Sequence, residues 1–194
     1  MSIFRLYLEL GVTHILDFRG YDHILFIMTL CSVYYFNEWK RVLILITAFT
    51  VGHTATLVLS TFEMIDLPVG LIEFLIPLTI FITAIFNAVY RQSTAGGKLH
   101  MLKYVASLFF GLIHGLGFSG YLKSLLGSEE RITTPLFAFN VGIELGQILV
   151  VILVMSLSWL ITRIFKAPRR EWNLLVAGGA MGISLILMFE RVPW

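Results

Sequence analysis

Four apolar stretches of this chain each carry a residue that hydrocarbon excludes: His53 in AFTVGHTATLVL, Glu73 in VGLIEFLIPLTI, His114 in FFGLIHGLGFSG and Glu144 in FNVGIELGQILV. An ionisable group inside a bilayer is costly unless it is paired, holds an ion or faces water, so four of them point to a site. Neutral imidazole and carboxylate together are good ligands for nickel, cobalt, zinc or copper. At helical spacing, Asn140 and Gln147 share a face with Glu144, and Thr50 and Thr54 flank His53. These are candidate outer hydrogen-bond partners of the ligands, with Glu73 added to them. A lone intramembrane His or Glu also serves simply to tie helices together, and that reading stands beside the metal one.

The elements that must position these groups follow from composition. The chain has 194 residues, 58% of them apolar, and a mean hydropathy of +0.87, far above a soluble domain. The expected fold is an all-α integral membrane protein, one transmembrane domain over 1–194. Its helices are expected near 21–36, 42–62, 69–90, 104–126, 135–164 and 172–189, six crossings in all. The opening IFRLYLELGVTHIL holds Arg5 and Glu9 in a run too short to span, and reads as an interfacial or re-entrant helix. It lacks the features of a cleavable signal peptide. Cys31 is the one cysteine, so an intramolecular disulfide is excluded.

Basic residues set the expected orientation. Lys40, Arg41, Arg91, Lys98, Lys103, Arg163, Lys166, Arg169 and Arg170 fall on one side, and Arg5, Arg19, Lys123, Arg131 and Arg191 on the other. The excess places both termini outside the cytoplasm. The modest net charge of +2 reflects this topology and carries no nucleic-acid footprint. At a rise of about 1.5 Å per residue, His53 and His114 both lie roughly 20 Å from the cytoplasmic edge, which puts them and Glu144 in the outer half of the bundle. Asp22 and His23 then sit at its outer mouth.

Gly111 and Gly115, four apart, have the spacing that lets helix backbones approach closely, and Gly117 and Gly120 lie in the same helix. The pair of segments around His53 and Glu73 faintly resembles the pair around His114 and Glu144, as a parallel repeat would. Phe18, Tyr21, Trp39, Tyr90, Tyr104, Trp172 and Trp194 read as interfacial anchors.

The combination of His14 followed by Asp22-His23, TAFTVGHTATL, GLIHGLGFSG and FNVGIELGQ resembles the HupE/UreJ family of hydrogenase and urease accessory membrane proteins, over about residues 11–147. The resemblance implies a bacterial inner-membrane permease for nickel or cobalt, with Asp22, His23 and His114 at the family's motif positions. Seven residues separate His14 from Asp22, against five in the common family pattern.

The expected function is therefore a divalent-metal permease. Asp22 and His23 would capture the ion, with His14 as a further candidate ligand, and His53, His114 and Glu144 would form the deeper site. Zinc or copper remain open beside nickel and cobalt. Without a P-loop, a gradient or intracellular trapping would drive it. The competing expectation is an intramembrane zinc hydrolase or acyl-transfer enzyme acting on a lipid, built from the same ligands. The metal ion and membrane lipid are the expected partners, with a homo-oligomer and metalloenzyme maturation proteins as further candidates.

Overall fold

A computed structural model describes residues 2–18, 20–65, 67–89, 97–127 and 132–193. Arg19, Asp66, Tyr90, Arg91, Arg131 and Trp194, to which roles were assigned above or which bear charge, lie outside the described residues. The fold is all-helical among them: α1 (Ile3–Leu16), α2 (Asp22–Cys31), α3 (Trp39–Thr61), α4 (Val69–Val89), α5 (Gly97–Leu126), α6 (Thr133–Trp159) and α7 (Arg169–Glu190), with a 3₁₀ turn at Phe36–Glu38 and a π turn at Leu160–Ile164. The helices α3 to α7 are long and apolar enough to cross a membrane. This is the expected membrane bundle, with one revision at its start.

The sequence predicts a first crossing over 21–36, but α2 stops at Cys31, after ten residues. At about 1.5 Å per residue it spans roughly half a bilayer. Its end is fixed by tertiary hydrogen bonds that hydropathy does not record. The Ser32 hydroxyl sits 2.8 Å from both the Thr29 carbonyl and Asn173 Oδ1 of α7, and Asn87 of α4 donates to the Thr29 carbonyl at 2.7 Å. Asn173 in turn donates to the Asn87 carbonyl at 2.7 Å. A chain of polar contacts thus binds α2, α4 and α7 at one end.

The missing half of that crossing is α1. It packs along α6 in the same direction: Phe4 meets Phe137 with ring centroids 6.5 Å apart, Gly11 lies against Phe139 and Gly142, and Ile15 against Gly146. The approach is close enough that a Cβ on Gly11 would stand 2.2 Å from the Phe139 carbonyl oxygen, and one on Gly142 2.2 Å from that of Leu8. On the exposed side of α1, Arg5 and Glu9 pair one turn apart at 2.7 Å. So α1 descends from the end of the bundle where α6 begins, breaks at residues 17–21, and α2 carries the chain onward. Together they make one interrupted crossing, and Phe18, expected as an interfacial anchor, sits at the break instead.

Two long helices, α3 and α5, run parallel and in intimate contact. A Cβ on Gly111 would lie 2.1 Å from the Phe49 carbonyl oxygen, and one on Gly115 2.3 Å from that of His53, so the small-residue spacing read from the sequence is a helix seam. In packing, α3 pairs with α5, α4 with α7 and α6 with α1. Both described chain ends lie at the same end of the bundle, Tyr7 reaching the Leu125 carbonyl and Pro193 touching Gly70. Residues Tyr35, Glu38, Arg41, Arg163 and Arg169 gather at the other end, where Arg169 covers the Tyr35 ring at 3.8 Å.

Candidate metal centre

The break in the first crossing is where imidazoles collect. His14 is in the last turn of α1 and His23 in the first turn of α2, so the short turn at 17–21 folds one ring back on the other, with centroids 4.6 Å apart. His53 approaches from α3, 5.9 Å from the His14 ring and 6.0 Å from that of His23. His114 approaches from α5, 5.4 Å from His23. The α3–α5 glycine seam brings these last two in, since Gly115 follows His114 and abuts the backbone of His53.

Ring nitrogens of His14, His23 and His53 all lie within 4.8 Å of one another. Two nitrogens on one tetrahedral ion, each about 2.0–2.1 Å from it, stand roughly 3.4 Å apart. Rotamer shifts of about 1 Å would close the set around a cation. The chemistry of the donors fits as well. His14 Nε2, His23 Nε2, His114 Nε2 and both ring nitrogens of His53 are buried without a hydrogen-bond partner, and an unmade buried hydrogen bond costs about 1–3 kcal/mol. Five such atoms in one place are expensive unless something binds them. His114 is further prepared: its Nδ1 sits 2.8 Å from the Phe110 carbonyl oxygen. A carbonyl only accepts, so the proton resides on Nδ1 and the Nε2 lone pair is left for a ligand.

Aromatic rings enclose the cluster. Phe118 lies 4.0 Å from the His14 ring and stacks on Phe139 at 5.1 Å, while Phe49 meets His114 at 4.9 Å and Phe26 at 5.7 Å. Such a shell excludes water and sharpens the electrostatics within. On one side it is incomplete. A cleft of about 610 Å³ between α1 and α5, lined in part by Thr13, His14, Asp17, Phe118 and Tyr121, reaches the His14 ring.

The carboxylates expected in the site are placed differently. Asp22 neighbours His23 in sequence and is buried, but its Oδ2 accepts from Arg191 at 3.1 Å, leaving Oδ1 without a partner. Glu144 takes hydrogen bonds from Thr47 and Thr50, both at 2.6 Å, and Thr50 is also 2.7 Å from Gln147 Oε1. Thr54 donates to Asn140 Oδ1 at 2.5 Å. Glu144, Gln147 and Asn140 therefore form a polar seam between α6 and α3, one turn along α3 from His53 and separate from the imidazole group. Glu73 is exposed on the outside of α4. Sequence reasoning missed Arg191, Thr47, Phe118 and Phe139. Thr47 was findable, one turn from Thr50 on the same face, whereas the other three are set by packing between distant helices.

An all-helical membrane bundle with a buried imidazole cluster at an interrupted crossing is the class that these features define. The chain belongs to the HupE/UreJ protein family, whose model matches residues 1–191. That membership links it to nickel or cobalt handling. No curated protein and no solved structure matches the chain.

Proposed function

We propose that the chain is a permease for a divalent transition-metal ion, nickel or cobalt foremost and zinc or copper after them, with the ion passing through the His14, His23, His53 and His114 cluster. The observation that carries this reading is the set of three convergent imidazoles with ligand atoms within 4.8 Å of one another, each holding at least one buried ring nitrogen without a hydrogen-bond partner. The ion reaches the cluster through the α1–α5 cleft at His14 and leaves by movement of the glycine-rich α5. Neutral imidazoles do not offset two positive charges. The nearest carboxylates are Asp17, which lines the cleft beside His14, and Asp22, whose Oδ1 is unpartnered, with Glu144 further along the α3 face. The basic end of the bundle faces the cytoplasm of a bacterial inner membrane, so both termini lie outside it.

Metal uptake into liposomes, with bound metal measured on the same protein, tests the reading. Wild type binds nickel or cobalt and transports it. His23→Ala and His53→Ala each weaken binding at least tenfold, about 1.4 kcal/mol, and lower the flux with it. Undiminished flux in both variants would overturn the proposal. The α1–α5 cleft at His14 also admits a second reading, an intramembrane zinc enzyme acting on lipid, in which the unpartnered Asp22 Oδ1 would be the candidate base. Tightly bound zinc, no flux and cleavage of the liposome lipid would support that reading instead.

A further inference from the structure

A chamber separate from the imidazole cluster lies toward the basic end of the bundle, between α2, α3, α4 and α5. Its volume is about 220 Å³, and its wall is apolar: Phe26, Leu30, Ile82 and Phe86 contribute much of it. Ile82 and Leu102 at its rim are exposed, so the chamber opens sideways between α4 and α5, where hydrocarbon would be. Of its five polar side chains, Thr83, Asn87 and Ser107 donate to backbone carbonyls, leaving Tyr34 and Lys103. Tyr34 is 2% exposed, and its hydroxyl has no hydrogen-bond partner. Lys103 holds its ammonium over the rings of Tyr34 and Phe86, 5.1 Å and 5.7 Å from their centroids. No carboxylate lines the chamber.

The charge arrangement disfavours a dication, which would meet the Lys103 ammonium and no carboxylate in the described lining, Glu38 acting only from outside it. It suits an anion, for which Lys103 supplies charge and Tyr34 an unused O–H donor. The apolar remainder suits a hydrocarbon chain. The size is below the roughly 300–1,000 Å³ of a site that engulfs a whole small ligand, so one chain end enters and the headgroup stays at the rim. Lys103 lies in the first turns of α5, near the predicted membrane edge, which is the depth of a phospholipid phosphate.

We infer that this chamber is a binding site for an anionic phospholipid of the adjoining leaflet, its phosphate against Lys103 and Tyr34 and one acyl chain between α4 and α5. The site is contiguous with the metal centre. Phe26 lines the chamber and packs on His114 at 5.7 Å, and Phe110, which also lines it, lends its carbonyl to His114 Nδ1.

Native mass spectrometry of the full chain in neutral detergent, titrated with phosphatidylglycerol or phosphatidylethanolamine of the same acyl chains, tests the inference. Wild type retains phosphatidylglycerol at least tenfold better. Lys103→Gln and Tyr34→Phe each cut that preference at least threefold, with unchanged circular dichroism. Should Lys103→Gln fail to fold, Tyr34→Phe decides alone. Equal retention of the two lipids, or a preference that survives both substitutions, identifies ordinary boundary lipid and overturns the site. Saturable binding of oleate without binding of phosphatidylglycerol overturns the phospholipid assignment. None of these readouts depends on metal transport.

Discussion

Glu144 is set back from the imidazole cluster and held by hydroxyls: Thr47 and Thr50 donate to its two oxygens, and among the described residues no Lys or Arg pairs with it. A carboxylate fixed by hydroxyls without a counter-charge, one helical turn from His53, favours a cation arriving nearby. Glu144→Gln keeps the shape and both hydroxyl contacts while removing the charge, so metal uptake is expected to fall at least tenfold with the melting temperature nearly unchanged. Wild-type uptake in a liposome assay would remove Glu144 from the transport path. At this scale the sequence was informative about residue type and poor about partnership. His53, His114 and Glu144 stand out because hydrocarbon makes them costly, and that cost is visible in composition alone. That Glu144 faces threonines instead of imidazoles depends on the rotation of α6 against α3, which no spacing along one helix records. His14 presents the opposite case: its sequence distance from Asp22 departs from the family pattern, yet its ring meets that of His23.

Among the elements, the α3–α5 seam controls the site. Gly115 leaves no room for a side chain, because its Cβ would stand 2.2 Å from Thr56 Oγ1 and 2.3 Å from the His53 carbonyl oxygen. Overpacking of this kind costs about 1–3 kcal/mol, and here it also pushes His53 and His114 apart. Gly115→Leu is therefore expected to lower both the melting temperature and nickel affinity, whereas Gly179→Ala, with nothing within 4 Å, leaves both as they are. Equal effects of the two, measured by thermal unfolding and calorimetry, would count against the seam as the positioning device. The seam was legible, since four-residue glycine spacing has a direct physical meaning. The early end of α2 was not. Residues 32–36 continue the apolar run, and only the hydrogen bonds of Ser32 and Asn173 across to α7 explain why the helix stops.

For the whole molecule, hydropathy and length gave the long crossings α3 to α7, because each must satisfy its backbone within one continuous helix. They did not show that the first crossing is shared: α1 reads as an interfacial or re-entrant helix, and α2 as a whole crossing over 21–36. Orientation belongs to this scale too. Cys31 is buried, so a cysteine added elsewhere reports its own surroundings. Met64→Cys, in the loop between α3 and α4, is expected to react with a membrane-impermeant maleimide on intact cells, and Lys166→Cys only after lysis. The reverse pattern would invert the proposed topology.

The interrupted crossing also separates the order of synthesis from the order of assembly. The groove that receives α1 is the Gly142 face of α6, so α1 leaves the ribosome well before its seat has been made. Until that seat exists, His14 has no fixed neighbour on α6, and the imidazole quartet is incomplete. Under the proposed function, a nascent chain could therefore complete its ion site only after α6 has been inserted.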